Sequence, residues 1–185
     1  GVSRTLTTMV AAALLLGCTG YALQGSPNLA GAVIAIKPAT PLDLQSNTVR
    51  DEMYGRFSSD FGYVIAADAM ARVGDERNAA RVLIGGIARI PNSYILWSEL
   101  GSVMAAHDGD ILSPTARFAF ARAVAVAPTH PAPYYMRGLA QVRAGEFAQA
   151  RASWQRSLSL IPPGLSYREE VRLRLALLDR LVATP

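Results

Sequence analysis

The side chains best suited to nucleophilic, redox or metal chemistry are scarce in this chain, whose 185 residues include one Cys, at position 18, and two His, at 107 and 130. That set supplies no disulfide framework, no CxxC redox pair, no CxxCH haem-attachment site and no zinc site. His107 stands beside Asp108 and His130 before Pro131, both in predicted turns, and neither has the convergent partners that acid/base or metal chemistry needs. Asp108 and Asp110 flank Gly109 like the start of a calcium loop, but the later ligand spacing and the terminal Glu are missing. Gly85-Gly86 falls inside a predicted helix and makes no phosphate loop. The expectation is a chain that is not an enzyme, with no catalytic residues, no metal and no cofactor.

What remains is repetition, which points to a scaffold. Arg72-Val73-Gly74-Asp75-Glu76 opens a segment with Ala79, Leu83, Ile87 and Pro91, and Arg143-Ala144-Gly145-Glu146-Phe147 opens one with Ala150, Trp154, Leu158 and Pro162. The prolines at 91, 128 and 162 are 37 and 34 residues apart. A period of 34, with Gly between two helices and Pro after the second, is the tetratricopeptide (TPR) pattern. The middle hairpin should carry three extra residues in its turn, within His107–Pro114, and Ser113-Pro114 reads as the cap and first turn of the following helix. Ala79, Ala116 and Ala150 are small where the two helices of a hairpin approach. Leu83, Phe120 and Trp154 are large where the second helix fills space, with Gly101 and Gly138, and Ala67 in the first hairpin, small on the first helices. Proline ends the second helices by removing a backbone donor.

One hairpin cannot bury its apolar face alone, so the predicted fold is all-α, an α-α superhelix of three hairpins plus a capping helix. The cap spans Tyr167–Val182, with Val171, Leu175, Leu178 and Leu181 along one side. A short helix over Thr48–Phe57 covers the other end.

The amino-terminal part has a different composition. Between Arg4 and Lys37 there is no charged side chain. Thr5–Gln24 as a helix would measure roughly 30 Å, the thickness of a bilayer core. The expected organisation is a membrane anchor over 1–24, a Pro- and Gly-rich linker over 25–47 and a TPR domain over 48–185. Arg4 before the span places the domain on the far side of the membrane by the positive-inside bias, which in a bacterium is the periplasm, beyond the inner (cytoplasmic) membrane. Leu15-Leu16-Gly17-Cys18 also fits a lipoprotein cleavage box, so an acylated Cys18 stands as the alternative anchor.

Charge is unevenly spread: residues 1–110 hold 8 basic and 10 acidic groups, whereas residues 111–185 hold 10 and 4. A basic carboxyl-terminal part suits anionic lipid or an acidic protein partner. With no RNP, zinc-finger or helix-turn-helix signature, no nucleic-acid partner is expected.

Several runs resemble one family. Tyr21-Ala22-Leu23-Gln24-Gly25-Ser26-Pro27-Asn28-Leu29 after an apolar segment is similar to the membrane exit of the TPR protein of bacterial cytochrome c maturation. So are Ala67-Asp68-Ala69-Met70-Ala71-Arg72, Leu96-Trp97-Ser98-Glu99-Leu100-Gly101, the lengthened turn ending in Leu112-Ser113-Pro114, and Pro131-Ala132-Pro133 leading into Arg137-Gly138-Leu139-Ala140. The resemblance covers most of the chain from Thr19 onward. It implies an adaptor that holds apocytochrome c, chiefly by its C-terminal helix, and meets the membrane haem-ligation subunits. The longer members have two membrane spans, whereas one is found here.

In a TPR array the first helices line the hollow face. Registering each first helix places Phe61, Val64, Asp68, Ala71 and Arg72, then Ile95, Ser98, Ser102, Ala105 and Ala106, then Ala132, Tyr135, Leu139, Val142 and Arg143 along it. This predicts a peptide-binding groove, a mostly apolar trough with Arg72 and Arg143 at its rim, fit for an amphipathic helix whose carboxylates meet the arginines. The Lys/Asn pattern of carboxylate clamps is absent there. Trp97 and Tyr134 read as core rather than as ligand contacts.

Overall fold

The structure is a computed structural model that describes residues 8–10, 12–13, 41–55 and 58–183, with residues 41–47 as helical backbone alone. The chain divides into two compact units, Gly1–Ile34 and Ala35–Pro185. In the first, the described residues 8–10 and 12–13 are helical. Apart from those five residues the anchor expected over 1–24 lies outside the described residues, as do most of the linker expected over 25–47 and Phe57. Among the described residues no helix is long and apolar enough to cross a membrane.

The second unit is helical and carries no strand among its described residues. Its helices are α1 (Pro41–Tyr54), α2 (Phe61–Arg72), α3 (Glu76–Arg89), α4 (Tyr94–His107), α5 (Pro114–Val126), α6 (Pro131–Arg143), α7 (Phe147–Leu160) and α8 (Ser166–Ala183). The pairs α2/α3, α4/α5 and α6/α7 are the three expected hairpins, and α4 also packs against α3 and α6.

The turns are built alike. Gly74, Gly109 and Gly145 have φ of 77°, 74° and 73°. In each, the glycine N–H reaches back three residues and the next N–H reaches back five, as from Asp75 to Met70 and from Glu146 to Gln141. This double bond closes a helix on a left-handed residue, a conformation glycine adopts without a Cβ clash. The next helix opens two residues after Gly74 and Gly145 but five after Gly109, so the three extra residues sit in the middle turn as expected. There the Ser113 hydroxyl accepts the N–H of Ala116, and Pro114 takes the first helical position, where its missing donor costs nothing.

Within the hairpins the small and large positions interlock. Ala79, Ala116 and Ala150 are buried, as are Leu83, Phe120 and Trp154. A Cβ on Gly101 would sit 2.9 Å from the Phe120 ring, and one on Gly138 would overlap the Trp154 indole. The Trp154 Nε1–H donates to the Tyr135 carbonyl at 3.1 Å, and the Ser157 hydroxyl donates to the Pro131 carbonyl at 3.0 Å. The polar atoms of this seam are satisfied while its carbon fills space.

Two end helices differ from expectation. The helix predicted over Thr48–Phe57 begins at Pro41, and Gly55, with φ of 74°, follows its end. Pro41 acts as a first-turn proline rather than as linker. In α8 the buried side is Val171, Arg174 and Leu178, while Leu181 is exposed. Leu181 and Val182 lie beyond Leu178, the last buried residue of this helix.

Candidate functional site

The first helices α2, α4 and α6 make one side of the stack, as expected, and that side holds a helix already. α1 reaches across it, packing on α6 and α8 and touching α2 and α4 through two side chains. Arg50 donates from Nη1 and Nη2 to the two oxygens of Asp68 on α2, at 3.1 and 2.7 Å. The same guanidinium lies 3.5 Å from Glu99 on α4 and donates from Nε to Asp51 at 3.0 Å. One turn on, Tyr54 meets Tyr94 of α4 edge to face at 6.2 Å. Val49, Arg50, Met53 and Tyr54 are the buried side of α1.

Electrostatics follow from that burial. Desolvation works against the Arg50 charge, but Glu99 and Asp68 outweigh it and hold the guanidinium above its ordinary range. Burial pushes the Glu99 carboxyl up, Arg50 pulls it back, and the nearby Asp68 charge pushes it further up. The Tyr54 hydroxyl is raised well above its usual value by burial first and by Glu99 second. A planar fork held by two carboxylates is the geometry in which arginine differs most from lysine.

The predicted groove residues fare unequally. Asp68 is engaged by Arg50, whereas Val64, Ile95, Ser98 and Leu139 are buried. Tyr135 is buried with its ring stacked near Trp154 at 6.4 Å and the Arg174 guanidinium of α8 at 5.9 Å. Phe61, Ser102 and Val142 are half-buried, and the Ser102 hydroxyl donates to Ser98 of its own helix at 3.2 Å. Arg72 and Arg143 are exposed, and Arg72 donates to the carbonyl of Asp68. The hollow is thus filled rather than open, and the charge at its floor is carboxylate, from Asp68 and Glu99. Arg72 and Arg143 lie exposed, and the arginine that meets these two carboxylates comes from the resident helix α1.

Sequence reasoning missed Glu99 and Arg50. A Glu within the apolar run Tyr94–Leu100 was the available signal, since a buried carboxylate needs a cation.

The remaining candidates are structural. His130 caps α6, its Nδ1 accepting the N–H of Ala132 at 3.3 Å, and its ring lies 4.4 Å from that of Tyr94. The Tyr134 hydroxyl donates to the Pro128 carbonyl at 2.9 Å, and the Trp97 Nε1–H to the Pro91 carbonyl at 2.9 Å, tying α6 and α4 to the turns that precede them. Among the described residues no group of three or more His, Cys, Asp or Glu could hold a metal ion.

No protein-family model matches the chain, and no curated protein matches it. Solved structures do. The first TPR of Spaghetti (RPAP3), bound to the HSP90 peptide SRMEEVD, is similar at a TM-score of 0.50 and 16% identity, over 76% of this chain and 95% of that one. The Yersinia enterocolitica type III secretion translocator chaperone SycD is similar at 0.53 and 16%, over 68% and 88%. SycD in complex with a peptide of the translocator YopD gives 0.54 and 15%, over 69% and 96%. At these identities the likeness shows the fold: a TPR-type array of helical hairpins.

Proposed function

We propose that the chain is a TPR adaptor that holds a helical segment of another protein and performs no chemistry itself. The observation that carries this reading is the seating of α1, because the side formed by the first helices already accepts a helix by a buried apolar strip and one charged anchor. That the similar TPR structures were solved with peptides bound supports the same class of partner. The resemblance in the exit motif, the lengthened turn and the first-helix runs carries the finer reading. In it the protein serves cytochrome c biogenesis at the periplasmic face of the inner membrane, anchored by its amino-terminal segment. It takes the C-terminal helix of apocytochrome c and contacts the haem-ligation subunits.

Pull-down by the full chain should enrich the C-terminal helix among apocytochrome c peptides, and a deletion strain should lose holocytochrome. No enrichment together with normal holocytochrome levels removes the cytochrome reading. A second reading, a general cell-envelope scaffold, is favoured by the run Leu15-Leu16-Gly17-Cys18. Mass spectrometry separates the two, since a diacylglyceryl group on an amino-terminal Cys18 selects the scaffold and an unprocessed apolar segment selects the anchored adaptor.

A further inference from the structure

The way α1 is held specifies what the hollow recognises. Its buried side chains, Val49, Arg50, Met53 and Tyr54, fall on one strip of helix, while Thr48 and Glu52 face outward. A cleft of about 220 Å³ runs between α1 and α8, lined by Thr48, Val49, Glu52, Ser166, Tyr167 and Glu170. There the contact is an exposed hydrogen bond of 2.7 Å from Ser166 to Glu52. Among its described side chains α1 is fixed by Val49, Met53 and Tyr54 together with one buried charge network, whereas the α6/α7 hairpin is fixed chiefly by Trp154 against Gly138, with the Ser153 hydroxyl bonded to Gln141 beside it.

Such a network selects its occupant more than it tightens it. A buried carboxylate, Glu99, and a partly exposed one, Asp68, paired with a forked guanidinium gain little net stability over an apolar contact, yet the buried group left alone is strongly penalised.

We propose that α1 is an internal stand-in for the ligand: the hollow takes a partner helix that presents an arginine to Asp68 and Glu99, with an apolar residue before it and apolar or aromatic residues three and four positions after it, and that helix displaces α1. The inference rests on the reading of the chain as a helix-holding adaptor and adds the chemistry of the held segment. It also makes the free protein self-occluded, so that apparent affinity is lowered by the fraction of molecules whose hollow is vacant.

The probe is a labelled peptide of residues 41–55, added to the full chain and followed by fluorescence anisotropy. The unaltered chain should bind it weakly, and a chain carrying Arg50→Ala and Tyr54→Ala, whose own α1 is loosened, should bind it at least tenfold more tightly. The peptide with Arg50→Lys should bind that variant several-fold less well than the parent peptide, and the peptide with Arg50→Ala at least tenfold less well. Equal affinity of both proteins for the parent peptide, or equal binding of the parent and Arg50→Ala peptides, overturns the proposal. A measurement on the unaltered chain guards against a variant that does not fold. Excess peptide should speed hydrogen exchange at amides 48–54 while leaving 95–105 protected, and exchange at 48–54 that does not respond to peptide overturns it as well. Loss of apocytochrome binding with this exchange intact removes only the cytochrome reading. Apocytochrome binding that persists without the exchange places the held helix elsewhere.

Discussion

The seam between α6 and α7 and the seam between α1 and the first helices bury comparable kinds of side chain and are held by opposite means. In the first, Trp154 rests on Gly138 and its one polar atom bonds a backbone carbonyl. In the second, Arg50 is gripped by Asp68 and lies near Glu99. Interlocked carbon has one good solution and no substitute from outside. A charge anchor can be satisfied by any helix bearing the same group, so on the proposed reading the first seam makes a scaffold and the second a recognition site.

The largest test of this contrast is Trp154→Ala, expected to cost about 4 kcal/mol through lost transfer energy and a cavity, read as a lowered urea midpoint. Arg50→Ala should cost about 3 kcal/mol by leaving the buried Glu99 and the half-buried Asp68 without their cation. Replacing Arg50, Asp68 and Glu99 together by Met, Leu and Met should restore most of that stability while abolishing discrimination between arginine-bearing and alanine-bearing peptides. A triple variant as unstable as Arg50→Ala would mean that the network has a role beyond recognition. Gly138→Ala should cost about 2 kcal/mol, because a methyl cannot enter against the indole without moving it.

The smallest effect is a pH dependence. Burial lowers the His130 pKa, and the neutral ring caps α6 through Nδ1. A base whose folded pKa is depressed contributes stability above its unfolded value of about 6.5 and loses it as pH falls through the folded value. The stability difference between the unaltered chain and His130→Asn, whose amide can still cap, should therefore shrink as pH falls from about 7.5 to about 5. A difference independent of pH would show that the cap does not titrate. Because the imidazole lies on Tyr94, which meets Tyr54, the same acidification should speed exchange in α1 before exchange in α7.

The hairpins were legible because each signal acts locally: Gly74 and Gly145 close their turns, Ser113 caps the next helix, and Pro91, Pro128 and Pro162 follow helix ends. The start of α1 was not, since Pro41 inside a Pro-rich stretch means linker or first turn depending on whether a surface waits to bury the helix. The arrival of α1 on the side of the first helices was not legible either. The period ranks Val64, Ile95 and Tyr135 as groove residues without registering that α1 and Arg174 of α8 arrive over that side.

Residue order along the chain thus determined the three hairpins, their shared turn and the inserted residues before Pro114, because a turn or a cap is a bargain between neighbours a few positions apart. Tertiary structure alone decided that Arg50 meets Asp68, 18 residues on, and Glu99 beyond it. Pairing of buried charges depends on which helices converge and how much water they exclude, and that is fixed only once the whole stack has closed.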